Sequence, residues 1–176
     1  MDKLITKFAL IADPHYYSEK LGNSGKAYER RAGSDQKMLA QSRGTILAAL
    51  ELIKNSDAKF LLIAGDLSND GERVSHEEMR EILYEFKKVM PVYVITATHD
   101  WCCDGNPRRY EGDKIYHDVE TIPPEELAEF YKDFGVSDAI STFYTHQNKV
   151  SYVVRPCDGV SIFCLDDDQN GSGSSG

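Results

Sequence analysis

Apolar runs alternate with helix-like spacing through the first hundred residues. Residues Phe8–Ala12 are apolar throughout, the pattern of a short strand buried on both faces. The stretch YYSEKLGNSGKAYERRAGS that follows is polar overall and predicts a long surface loop. From about Asp35 to Asn55, Met38, Leu39, Ile46, Leu50 and Ile53 fall on much of one helix face. A second strand, KFLLIAGD, ends at Gly65-Asp66. Ser75 with Glu78 three residues later has the form of a capping box. It opens a helix that turns Met79, Ile82, Leu83 and Phe86 toward the sheet, and Pro91 ends it. VYVIT at 92–96 is the third strand. Strand–helix–strand–helix–strand order with apolar strands predicts a parallel sheet joined by right-handed crossovers.

The pattern then changes. PPEELAEFYKDFG is a short helix with proline at its start and Gly135 after its end. SYVVRPCDGVSIFCLD reads as two strands about a Pro-Cys-Asp-Gly turn, an antiparallel hairpin. The expected class is therefore α/β, with mixed sheets flanked by helices, a parallel βαβαβ start and an antiparallel hairpin. Residues 1–170 are expected to form the N-terminal part of one domain, and 171–176 read as a flexible tail or a truncated loop. Nothing after the hairpin covers its far edge, so the chain is expected to stop partway through a domain. An open edge of that kind invites pairing with a second copy, and a homodimer through it is the expectation.

Composition narrows the class without naming a chemistry. Over 176 residues, 41% hydrophobic and 28% charged is ordinary for a soluble globular chain. A net charge of −9 argues against general nucleic-acid binding. It leaves room for a small anionic substrate, because bound divalent cations reverse the field of an acidic pocket. No run is long enough for a membrane span, and MDKLITKFALIADPH lacks a secretory apolar core. Cys102, Cys103, Cys157 and Cys164 match neither a zinc CxxC pattern nor a dense disulfide framework. They read as free thiols of a reducing, cytoplasmic compartment.

All three strands of the parallel unit deliver acid or imidazole at their C-terminal ends, where open α/β sheets bind ligands. These are Asp13-Pro14-His15, Gly65-Asp66 and His99-Asp100. In extended geometry Asp13 and His15 point the same way and can hold one ion, with Asp66 arriving from the next strand. Mixed carboxylate and imidazole ligation suits zinc, iron or manganese. Singly, each pair is also an ordinary turn or cap. Three in matching positions outweigh that reading.

DPH, GDLSND and THD, each at a strand end, resemble the first three motifs of the calcineurin-like metallophosphoesterases: D-x-H, G-D and G-N-H-D. The resemblance covers roughly residues 5 to 101. It implies a partial four-layer sandwich of two mixed sheets between helices, hydrolysing phosphate mono- or diesters at a site of two divalent ions. Asp13 and His15 would bind the first ion and Asp66 would bridge both. His99 would contact the phosphate or protonate the leaving oxygen, with Asp100 orienting it. Arg108 and Arg109, just after the third motif, are placed to bind substrate. A purple acid phosphatase would need tyrosine where Asn69 stands, which disfavours that subtype.

Two positions depart from the pattern. Ala97-Thr98 replaces Gly-Asn, so a shorter hydroxyl stands at the asparagine ligand of the second metal, with Asn106 or a water as substitutes. The later G-H-x-H element is absent, since only His117 and His146 follow His99 and both read as surface or structural residues. Lys20, Lys26, Arg30 and Arg31 read as a solvated mixed-charge loop. Trp101 either walls the pocket or caps the core. Asp166–Asp168 reads as a strand end bordering the site. A chain short of these ligands is expected to be nearly inactive alone. Two other readings stay open: a metal-binding but silent module, and an unrelated α/β domain that binds a partner protein.

Overall fold

Three short strands lie side by side and parallel: β1 (Ala9–Ala12), β2 (Leu61–Ala64) and β3 (Val92–Ile95), in that order. The computed structural model describes residues 6–34, 36–145 and 149–167. Helices α1 (Lys26–Ser34) and α2 (Ser42–Lys54) separate β1 from β2, and α3 (Arg73–Lys87) separates β2 from β3. Register sets Ile11 opposite Ile63 and Ile63 opposite Val94, so alternation puts them on one face. That face packs on Ile46 and Leu50 of α2 and on Met79, Leu83 and Phe86 of α3. Each such side chain removed from water contributes about 1.5–3 kcal/mol.

Beyond β3 come a small hairpin, β4 (Arg109–Glu111) with β5 (Lys114–Tyr116), and the helix α4 (Pro124–Phe130). Then β6 (Ser141–Tyr144), β7 (Val150–Cys157) and β8 (Val160–Cys164) form an antiparallel sheet in the order β6-β7-β8. Tyr152 and Val154 of β7 pack on Phe60 and Tyr93, covering the second face of the parallel sheet. The buried Tyr152 hydroxyl donates to the Val94 carbonyl at 2.6 Å. The β7–β8 register slips between Val154 and Cys157, where Pro156 has no N–H for the ladder.

The parallel unit and the hairpin match the sequence reading; several details do not. β1 is not buried on both faces: Phe8 is 53% and Leu10 60% exposed. It is the edge of the sheet, and the antiparallel layer rests on β2 and β3. The polar stretch after β1 is not a loop. It holds α1 and a 3-10 turn at Glu19–Leu21, and its Tyr17, Leu21, Ala27 and Tyr28 join Leu39 and Tyr110 in a second core. Tyrosines spaced among charges carry no helical stripe, which hid it. α2 starts only at Ser42, after a 3-10 turn, leaving Met38 exposed; position 35 lies outside the described residues.

The capping box is also absent. α3 begins at Arg73, so Ser75 sits inside its first turn, where its Oγ accepts from the Ser18 N–H at 3.2 Å. Glu78 instead accepts from the Tyr16 hydroxyl at 2.9 Å and pairs with Lys20 at 3.0 Å. Both residues tie α3 to the chain after β1. The expected hairpin gains a third strand in β6, whose four residues are all exposed, Phe143 and Tyr144 among them. Among the described residues no helix is long and apolar enough to cross a membrane.

Candidate metal centre

The chain turns sharply where β1 and β2 end. Asp13 (φ 51°), His15 (φ 42°) and Asp66 (φ 51°) all occupy the left-handed region. Asp and His enter it more readily than most residues, at a cost of about 1–3 kcal/mol each. The extended geometry expected for Asp13 and His15 is therefore replaced by a tight kink. Gly65 precedes Asp66 at φ 78°, and a Cβ there would lie 2.5 Å from Ala97 Cβ. Glycine is needed on both counts.

Hydrogen bonds lace the two turns together. The His15 N–H donates to the Asp66 carbonyl at 2.9 Å, Tyr16 to Leu67 at 2.8 Å, and Asn69 back to Tyr16 at 3.0 Å. This lacing brings one ligand atom each from Asp13, His15 and Asp66 within 4.8 Å of one another. Among the described residues it is the one cluster of this kind. His15 Nδ1 faces the Ser68 carbonyl at 3.4 Å. A carbonyl only accepts, so this contact places the proton on Nδ1 and leaves the Nε2 lone pair toward Asp66, 3.8 Å away. Burial, then the charge of Lys37, lowers the His15 pKa against the pull of Asp66, favouring the neutral ligand form.

His99 stands beside this cluster, with its ring 5.1 Å from that of His15 and edge-on to it. Its backbone N–H donates to Asp66 Oδ1 at 3.0 Å, which fixes that carboxylate. The ring is held by Asp70, whose Oδ1 lies 3.1 Å from Nδ1. That hydrogen bond raises the His99 pKa, opposed by burial and by Lys37. Burial opposes ionisation of Asp70 as well, but His99, Lys37 and Arg31 together hold its carboxyl below the usual range.

Asp100 does not orient the His99 ring, as expected from the sequence. It is fully buried, with Oδ1 accepting from the Ser68 N–H at 3.0 Å and Oδ2 from the Ala97 N–H at 2.9 Å. Burial pushes its pKa up to about 7 against those donors. Consecutive residues of the 3-10 turn Thr98–Trp101 leave it in different directions, so Asp100 clamps the loops while Asp70 reaches His99. Below it lies His76, also buried. Nε2 must donate to the Asp100 carbonyl at 2.8 Å, which leaves Nδ1 to accept from the Tyr131 hydroxyl at 2.7 Å. Thr98 opens the turn, partly buried, and its carbonyl accepts from Cys103.

The two arginines part company. Arg108 faces Asp70 Oδ2 at 3.6 Å. Arg109 does not face the site: from β4 it binds Asp118 through Nε (2.7 Å) and Nη2 (2.9 Å) and lies over the Tyr116 ring. Neighbouring residues at a strand start point to opposite sides. His117 is exposed, with Nδ1 beside the Pro107 carbonyl; His146 lies outside the described residues. The Asp166 side chain is buried 3.8 Å from Lys149 rather than in the metal cluster, and Asp168 is outside the described residues.

Three contributors escaped the sequence reading. Lys37 sits 3.0 Å from His99 Nδ1 and donates to the Asn69 carbonyl at 2.9 Å. Asp70 and His76 are the others. Asp70 had a visible signal, a second carboxylate four residues after Asp66; Lys37 and His76 had none. A cavity of about 710 Å³ opens beside Asp13 and His15, walled also by Lys37, Met38 and Thr45, a size suited to a small molecule.

The sequence model of the calcineurin-like phosphoesterases matches residues 6–169. The chain belongs to that family. A calcineurin-like phosphoesterase is a metal-dependent phosphoester hydrolase by family, and both the mixed α/β fold and the acid–imidazole cluster agree with this. No curated protein matches the chain.

Proposed function

We propose that this calcineurin-like phosphoesterase hydrolyses phosphate mono- or diesters with divalent metal bound at Asp13, His15 and Asp66. The observation that carries the reading is the convergence of those three ligand atoms within 4.8 Å at adjacent strand ends. The donor set, two carboxylates and a neutral imidazole, fits manganese, iron or zinc. A second ion would share Asp66 and meet Thr98. Bound metal supplies Lewis-acid polarisation and charge neutralisation at the phosphoryl group. His99, raised toward the imidazolium by Asp70, donates a hydrogen bond to a phosphoryl or leaving oxygen. Asp70 holds that ring from one side, and Asp100 holds the backbone that carries it.

Four free thiols support a reducing, cytoplasmic setting. The test measures bound metal together with hydrolysis of p-nitrophenyl and bis-p-nitrophenyl phosphate, for the wild type and Asp66→Asn. Loss of both metal and turnover in the variant is expected; unchanged turnover would remove Asp66 from the site. The threonine at the asparagine position favours a second reading, a module that binds one metal without turning over. Full metal occupancy with neither ester cleaved would select it.

A further inference from the structure

We propose that the cavity between β1 and α2 holds the organic group of the ester, and that the site takes phosphate esters whose organic group is uncharged, apolar and of aryl size. The cavity measures about 710 Å³ and begins at Asp13 and His15, so it opens directly from the metal centre. A phosphoryl group fills little of that space, and volumes of about 300–1,000 Å³ are those of sites for small organic molecules. An ester held by its phosphate at Asp13, His15 and Asp66 has its remaining bulk to place, and the cavity adjoins that point.

The walls set the chemistry. From β1 and the turn after it come Ile11, Ala12 and Pro14; from α2 come Thr45, Ile46 and Ala49. Thr45 and Ala49 share a helix face at i, i+4 spacing. With Ala12 they are small, and they leave open a space that leucine or isoleucine would fill. The charged walls, Asp13, His15 and Lys37, belong to the metal end, where Lys37 Nζ lies 3.0 Å from His99 Nδ1. Between β1 and α2 the described walls carry no charge, so a charged group entering there would lose water without gaining a partner. Hydroxyls are few as well. Ser42 accepts from the Tyr17 N–H at 3.0 Å and donates to the Leu39 carbonyl at 3.0 Å, and Ser34 donates to the Arg31 carbonyl at 3.1 Å. Thr45 and Gln36 remain to orient a ligand, while ring carbons meet Ile11, Pro14 and Ile46.

Met38 lines the same cavity and is 65% exposed, so it stands at the rim. An unbranched thioether there can fold over an aromatic ring and gain a sulfur contact with it. The substrate class rests on the metal-centre reading above; the apolar site itself does not.

Two measurements separate them. The first is fluorescence titration of chelator-treated, metal-free protein with 1-naphthol, a neutral aryl alcohol. Wild type should bind it. Ala49→Phe, which fills the cavity, should weaken binding about tenfold, and Met38→Ala about threefold, the scale of one lost sulfur–aromatic contact. Thermal unfolding shows whether Ala49→Phe is folded; where it is not, Met38→Ala decides, because Met38 is exposed. No binding by wild type, or equal affinity in all the folded proteins, would overturn the apolar site. The second is hydrolysis of p-nitrophenyl phosphate with manganese present and 1-naphthol as inhibitor. Inhibition should be competitive, and Ala49→Phe should raise KM about tenfold while lowering kcat less. Inhibition that leaves KM unchanged, or a variant that loses kcat at constant KM, would overturn the substrate class. If manganese does not bind and no ester is cleaved, yet Ala49→Phe still loses 1-naphthol, the metal-centre reading fails and the apolar site is upheld.

Discussion

The His15 amide donates to the Asp66 carbonyl at 2.9 Å, while the His15 imidazole stands 3.8 Å from the Asp66 carboxylate. Backbone and side chain of the same two residues thus meet across neighbouring strands. A backbone bond that ties the two ligand-bearing turns together lowers the ordering cost of binding an ion between them.

Divalent metal should stabilise the folded chain. At a free metal concentration about 100 times Kd the gain is about 2.7 kcal/mol, worth roughly 5–11 °C in Tm for a domain of this size. Differential scanning fluorimetry with manganese, then with chelator, reads it directly. His15→Ala should abolish the shift; a shift of wild-type size in that variant would exclude His15 as a ligand.

Asp100→Asn should destabilise the protein by about 1–3 kcal/mol. Both carboxylate oxygens accept from backbone N–H groups, and an amide offers only one acceptor, so a buried donor would face a donor. Urea unfolding measures the loss. A midpoint unchanged by the substitution would show that the clamp is not needed.

His76 makes stability depend on pH. Its pKa falls from 6.5 to about 4, chiefly through burial. Below pH 6.5 the unfolded chain takes up a proton that the native chain refuses, so the contribution is full above 6.5 and is lost as pH falls toward 4. It amounts to about 3 kcal/mol. The stability margin of wild type over His76→Gln, measured in urea near neutral pH and again in mild acid, should shrink across that window. A margin independent of pH would contradict the neutral, doubly bonded imidazole.

Gly65→Ala should distort the site through two separate causes, the contact with Ala97 Cβ and the positive φ. Adding Ala97→Gly removes the first and leaves about 1–2 kcal/mol of backbone strain. Melting temperatures of the single and double variants should therefore rank wild type, double, single. A double variant no better than the single would show that the contact is harmless.

The parallel strands and their acidic ends were legible because continuous apolar runs and period-2 positions are local signals. Asp13, His15 and Asp66 could be grouped from their places after successive strands. Asp70 and Lys37 could not be assigned, because they meet His99 through contacts spanning 29 and 62 residues. The mistaken capping box shows the same limit: Ser75 and Glu78 have the right spacing, but their partners Ser18 and Tyr16 lie far upstream. Buried tyrosines misled for another reason. Tyr17 and Tyr28 pack with Tyr110 in a core that polarity scales count as loop.

The lacing of His15–Tyr16 to Asp66–Asn69 also bears on how the protein can change in length. Each ladder bond pairs one residue of the first turn with one of the second, so inserting or deleting a single residue between 13 and 16, or between 66 and 69, shifts every later partner out of step. The metal ligands would then be separated even with all three side chains retained. Insertions outside these two turns leave the turn-to-turn pairing itself untouched.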